Sequence, residues 1–160
     1  MNQDLKYSYK YPRMAMTVDA IIVAENFSET MILLIQRKFG PFEGVWALPG
    51  GFVEMDETLL EGCKRELFEE TGIKSVELEQ FHTFDAVDRD PRQRTVSTVF
   101  YGRIKDPPDV KGGDDASKAE WFPIISLPEM AFDHAEIIHK FVKEKLGSGG
   151  YKDHLPDERT

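Results

Sequence analysis

Apolar and β-branched residues fill Met14 to Ala24 (MAMTVDAIIVA) and Met31 to Gln36 (MILLIQ), with the polar stretch Glu25 to Glu29 between them, and this pattern predicts a hairpin. Phe39 to Trp46 carries two glycines and a proline and reads as a loop; Ala47 to Val53 (ALPGGFV) reads as a short strand broken by its glycine pair. A helix is expected over Leu59 to Thr71. Thr58 and Glu61 stand three apart, as a capping box requires, and Gly72 suits the left-handed residue that ends a helix. Val76 to Phe84 and Thr95 to Ile104 read as strands on either side of the charged loop Asp85 to Arg94, and Ala119 to Ile125 as a strand after the loop Lys105 to Lys118. Asp133 is an N-cap candidate three residues before Glu136, and Ile137, Ile138, Phe141 and Val142 recur at helical spacing. The pattern predicts an α/β layered domain with a mixed sheet and helices on its faces. It is expected to occupy residues 14–146, after an N-terminal extension of 1–13 and before a flexible tail, 147–160, that has almost nothing to bury.

A chain of 160 residues is long enough for one real core. No apolar run approaches the roughly 20 residues that span a bilayer, and Met1 to Lys10 lacks the apolar stretch of a secretory signal, so the cytoplasm is the expected location. Cys63, the one cysteine, excludes an internal disulfide and a cysteine-based zinc cluster, and among Leu59, Leu60 and Leu67 it reads as a buried structural thiol. The net charge of −9 argues against nonspecific nucleic-acid binding. An acidic protein that handles phosphate needs something to reverse the local sign, and divalent metal is the usual answer.

The informative stretch is Gly51 to Ile73, GFVEMDETLLEGCKRELFEETGI. On a helix, Leu60, Cys63 and Leu67 make one apolar stripe while Glu66, Glu69 and Glu70 gather in the neighbouring arc. Glu66 and Glu70 lie one turn apart, where like charges cost an isolated helix about 0.2–0.5 kcal/mol. A hard cation such as magnesium turns that repulsion into binding. A solvated acidic helix face is the alternative for three glutamates alone. The spacing says more. Gly51, five residues, Glu57, seven residues, then Arg65-Glu66-Leu67, any residue, Glu69-Glu70, any residue, Gly72 and Ile73 fill every fixed position of the Nudix box, which the segment resembles; Ala47-Leu48-Pro49-Gly50 looks like the family's usual lead-in.

The resemblance implies a Nudix α/β/α sandwich with a mixed β-sheet and a magnesium-dependent diphosphatase, manganese being a possible substitute. Glu66, Glu69 and Glu70 match the metal-binding glutamates, the Gly51 carbonyl is a further metal ligand, and Arg65 and Glu57 match positions that orient these ligands. Hydrolysis also needs a proton acceptor near the attacking water. Beside the three glutamates, Asp114 and Asp115 are candidates, in a glycine-flanked loop from which some Nudix enzymes supply an extra carboxylate; we take Asp115, with a solvated turn as the alternative.

Arg89, Arg92 and Arg94 stand in the loop before the strand at Thr95. Arginine offers a planar fork to phosphates, so the cluster suits a nucleotide diphosphate, although alternating Asp and Arg also reads as a surface ion-pair loop. This segment, with Gly113 to Ala116, Glu120 to Pro123 and Phe132 to Glu136, resembles a Nudix subgroup of ADP-ribose pyrophosphatases and the related regulators of NAD metabolism. That implies hydrolysis of ADP-ribose to AMP and ribose 5-phosphate, a small-molecule partner with neither nucleic acid nor membrane, and a homodimer. An oxidised nucleoside triphosphate or a sugar nucleotide as substrate, or a ligand sensor without turnover, are the alternatives; a sensor would be expected to carry a degraded box, and this box is complete. His134 reads as an exposed residue at a helix start, with ligand contact as the second reading, and Phe42 and Trp46 as core anchors rather than stacking partners for a base.

Overall fold

The computed structural model describes residues 7–25 and 28–147. Its strands are β1 (Ala15–Ala24), β2 (Met31–Arg37), β3 (Trp46–Ala47), β4 (Gly50–Phe52), β5 (Glu79–Phe84), β6 (Thr95–Ile104) and β7 (Ala116–Pro123), and its helices α1 (Leu59–Thr71) and α2 (His134–Phe141), the latter running on into a π-helical turn, Val142–Leu146. All but residue 147 of the expected tail lies outside the described residues.

The sheet runs β3-β2-β1-β6-β5, with β4 also on β1 and β7 also on β2. β1 is its hub. It pairs in parallel with β6 along its whole length, while its other edge is shared, Thr17 to Asp19 going antiparallel to β4 and Val23 and Ala24 to β2. The expected strand Ala47 to Val53 is thus two strands with different partners. Residues Leu48 and Pro49 carry the chain from the edge of β2 to the edge of β1.

Alternation along β1 sorts the core into two layers. Val18, Ala20 and Ile22 pack on one face with Leu33, Ile35 and, from α1, Cys63 and Leu67. Ile21 and Val23 pack on the other with Ile32, Leu34 and, from α2, Ile137, Ile138 and Phe141. Helices cover both faces, as expected of an α/β/α sandwich. By the same alternation Asp19 belongs to the α2 face, where it is buried.

α1 keeps the expected bounds and caps: the Thr58 hydroxyl accepts from the Glu61 amide, the Glu61 carboxylate accepts from the Thr58 amide, and Gly72 turns left-handed at φ 79°. The boundaries of two strands differ, the last also ending at Pro123 rather than Ile125. Val76 to Leu78 does not pair, because it crosses over Gly102 of β6 so closely that a Cβ there would stand 2.6 Å from the Val76 side chain. β7 begins at Ala116 rather than Ala119, because a register shift between Gln36 and Arg37 lets Ala116 reach β2. The capping box expected at Asp133 does not form: its side chain makes no cap hydrogen bond and is committed to Arg89 instead.

Candidate active site

A cleft of about 380 Å³ opens where β1, β4, α1 and the start of α2 meet, and Gly51, Arg65, Glu66, Glu70, Asp115, Arg89 and Arg92 all line it. Residues as far apart in sequence as Gly51 and Asp115 therefore line one cleft.

Arg65 organises the carboxylates of α1. Its Nε and Nη2 donate to the two oxygens of Glu57 at 2.9 and 2.6 Å, Nη1 donates to Glu66 at 2.7 Å and Glu69 at 3.2 Å, and Nη2 also reaches the Phe52 carbonyl. The hydrogen bonds from Arg65 hold the Glu57 carboxyl below its ordinary pKa, and those same bonds push the guanidinium pKa up. Glu57 in turn accepts from the Glu54 amide, anchoring the loop before α1. Two glycines give these side chains room. A Cβ on Gly51 would stand 2.6 Å from the Glu66 carboxylate, and one on Gly62 would stand 2.8 Å from Glu57.

Glu70 is the buried member of the arc, 4% exposed, and one of its oxygens accepts from the Gly50 amide at 2.8 Å. Burial pushes its pKa up to about 9, against the Gly50 hydrogen bond and with help from Glu66, Asp19 and Asp115. Burial also raises Glu66, with Arg65 opposing. Cys63 beneath them is pushed up to about 12 by burial and the nearby Asp19 and Glu66, the state of an inert thiol.

Among the described residues no three Asp, Glu, His or Cys side chains converge into a finished metal site. Arg65 bridges Glu66 and Glu69, and Glu70 is turned to Gly50. The donor set nevertheless fits a hard divalent cation: carboxylate oxygens on one helix arc, two of them raised in pKa by burial and by neighbouring carboxylates, beside a glycine that leaves the Glu66 carboxylate against open backbone.

The opposite wall is cationic and aromatic. Arg89 grips Asp133 with two hydrogen bonds, its side chain 5% exposed. Arg92 grips Asp90 in the same way, and its guanidinium lies 5.1 Å from the Phe52 ring and 5.6 Å from the Phe132 ring. Arg94 is not on the cleft wall; it donates to the Asp85 carbonyl and braces the loop. Asp115 lines the cleft and Asp114 does not; Asp114 has a positive φ of 51° and, like Asp115, is exposed. Glu69 is not among the residues that line the cleft; its carboxylate is bound to Arg65.

Four cleft residues carry no expectation from the sequence as ligand-facing groups or carry the opposite one. Arg37, at the end of β2, faces the cleft with Nε on the Pro41 carbonyl and its guanidinium 4.9 Å from Phe132; burial and the neighbouring Arg92 lower its pKa. Phe132 holds a positive φ of 52°, a strained conformation for an aromatic residue. Asp19 and His134 complete the floor. His134, expected at an exposed helix start, is instead 5% exposed, because its ring reaches back under the Leu48 amide. The available signal was Asp19, an acid inside an otherwise apolar strand. Trp46 packs edge-on to Phe122 in the α2-side core, as expected of an anchor; Phe42, read as an anchor too, is instead exposed and packs edge-on to Phe132 outside both core layers, its backbone turned to a positive φ of 62°.

A glycine loop and carboxylate helix set against an arginine wall, on an α/β/α sandwich, define a phosphate-handling cleft. The NUDIX domain profile matches residues 15–141, and the chain belongs to the Nudix family. It is 43% identical over 145 residues to the ADP-ribose pyrophosphatase of Methanocaldococcus jannaschii, covering 91% of this chain and 83% of that one. It is 36% identical to the ADPR responsive transcriptional repressor NtrR of Acinetobacter baylyi, covering 81% of this chain and 54% of the repressor. Among solved structures, the NUDIX domain of Shewanella oneidensis NrtR complexed with ADP ribose superposes with a TM-score of 0.78 at 30% identity, over 88% of this chain and 94% of that one. The bifunctional NMN adenylyltransferase/ADP ribose pyrophosphatase of Francisella tularensis, complexed with AMP and a Mn ion, superposes with a TM-score of 0.71 at 33% identity, over 85% of this chain and 43% of that one.

Proposed function

We propose that the protein is a magnesium-dependent ADP-ribose pyrophosphatase, with manganese able to substitute. One observation carries the substrate: the 43% identity, over 91% of the chain, to an ADP-ribose pyrophosphatase. The cleft supports the reaction class, since it sets hard carboxylate donors opposite arginines across a space of about 380 Å³.

Glu66, Glu69, Glu70 and the Gly51 carbonyl would hold the metal. When bound, it supplies the positive charge that draws a diphosphate into an acidic cleft and acidifies water. Arg65 is a positioning residue, donating to Glu66 and Glu69 while two hydrogen bonds to Glu57 hold its guanidinium in place. Asp115, which lines the cleft, accepts the proton of the attacking water. Arg92 holds phosphate oxygens with the guanidinium nitrogen Asp90 leaves free, while Arg89 and Arg94 bring the loop to the substrate. Water adds to one phosphorus, the bridging P–O bond breaks, and AMP and ribose 5-phosphate leave.

Location and assembly follow the family reading: a homodimer in the cytoplasm acting on a small molecule. No helix among the described residues is long and apolar enough to cross a membrane. Incubation with ADP-ribose, with and without magnesium, tests the proposal: AMP and ribose 5-phosphate form only with the metal, and hydrolysis of a nucleoside triphosphate in preference to ADP-ribose overturns it.

A further inference from the structure

The floor of the cleft holds a donor and an acceptor that do not satisfy each other. The Leu48 amide donates to Nδ1 of His134 at 3.0 Å, so that nitrogen carries no proton and the ring hydrogen sits on Nε2. Nε2 lies 3.6 Å from Oδ1 of Asp19, beyond a hydrogen bond. The other oxygen of Asp19 is occupied, accepting from the Ser97 hydroxyl at 2.5 Å. Both side chains are more than nine-tenths buried, and both line the cleft. Gly50 keeps the spot open, since a Cβ there would stand 2.6 Å from the same Asp19 oxygen.

A fixed N–H beside a carboxylate oxygen matches a ligand group that accepts and donates at once, as a hydroxyl does. The diphosphate of the substrate offers acceptors only and would meet the Asp19 carboxylate with like charge. We propose that Asp19 and His134 form a sugar-hydroxyl subsite, His134 Nε2–H donating to a ribose hydroxyl that donates to Asp19 Oδ1. The pair then determines specificity: it accepts a diphosphate bearing a sugar at this depth and rejects one bearing a phosphate. A site built to bond a hydroxyl discriminates steeply against ligands lacking it. This inference rests on the ADP-ribose reading, which contains two riboses.

The two halves of ADP-ribose undergo no turnover, so they test the subsite with magnesium present. The Nε2–H resonance of His134, assigned with His134→Gln, is followed by NMR while AMP, ribose 5-phosphate or inorganic phosphate is added to the full chain. The expected result is a shift with one sugar phosphate and none with inorganic phosphate; the half that produces it identifies which ribose is read. Asp19→Asn is expected to weaken that sugar phosphate by about 10- to 100-fold while leaving the affinity for inorganic phosphate unchanged. No shift with either sugar phosphate, or an equal shift with inorganic phosphate, overturns the subsite, and this wild-type titration decides even if the variant fails to fold. Absence of ADP-ribose hydrolysis together with a selective shift would instead remove the reaction reading and keep the subsite.

Discussion

Arg89 holds both carboxylate oxygens of Asp133, through Nε at 2.9 Å and Nη2 at 2.7 Å, and so ties the loop between β5 and β6 to the first turn of α2 across 44 residues of chain. The pair is nearly closed to solvent. Removing one partner of such a pair strands a buried charge and costs about 3–5 kcal/mol. Arg89→Ala is therefore expected to lower the melting temperature by roughly 10 °C, at about 2–4 °C per kcal/mol for a chain of this size. Thermal unfolding by circular dichroism checks this. A variant that melts like wild type but has lost substrate affinity would return Arg89 to the direct phosphate contact that the sequence pattern points to.

Arg92 and Arg94 separate two kinds of loop arginine. Arg92 lines the cleft and Arg94 does not. Arg92→Ala is expected to lower kcat/KM for ADP-ribose by one to two orders of magnitude, the loss of a charge-assisted hydrogen bond of about 1.5–3 kcal/mol, with Arg94→Ala well below that. Steady-state kinetics on both variants would contradict this assignment if the two losses were equal.

Much of this was legible beforehand, for identifiable reasons. α1 announced itself because its caps, its apolar stripe and its acidic arc all depend on spacing within one helix, which sequence displays directly. The cleft did not, because it is assembled by contacts between distant strands. Asp19 meets His134 only because β1 alternation sends it to the α2 face, and Asp133 fails as a cap only because Arg89 arrives from another loop. The split of Ala47 to Val53 into two strands likewise depends on which edges of β1 and β2 are free.

Glu70 predicts a linkage between metal and protons. Its folded-state pKa of about 9 lies above the ordinary carboxyl value of 4.5, so in metal-free protein its contribution to stability is complete below about pH 4.5 and is lost as pH rises toward 9. Metal-free Glu70→Gln, which cannot ionise, is expected to melt above the wild type at pH 8 and level with it at pH 4.5. Loading the wild type with magnesium at pH 7 is expected to expel a proton, seen in calorimetry as an enthalpy that changes with the ionisation enthalpy of the buffer. A buffer-independent enthalpy would show that Glu70 is already ionised or takes no part.

Arg65 supports the other two glutamates directly and is itself anchored by Glu57. Lysine cannot reproduce a fork that serves three carboxylates, so Arg65→Lys is expected to weaken magnesium affinity by about 10- to 100-fold, as loss of a ligand's support commonly does. Titration of the metal requirement would show an unchanged midpoint if Arg65 acted on substrate alone.

The central claim is that the α1 carboxylates carry a metal on which hydrolysis of ADP-ribose depends. Its most direct test is magnesium-dependent AMP release from ADP-ribose by the wild type and by Glu69→Gln, whose side chain is about one-third exposed. The account predicts AMP from the wild type, and a loss of more than about 100-fold in a variant whose circular dichroism is unchanged, exceeding the cost of disturbing a ligand's support alone. Full activity of folded Glu69→Gln at saturating magnesium, or no AMP from the wild type, would contradict it.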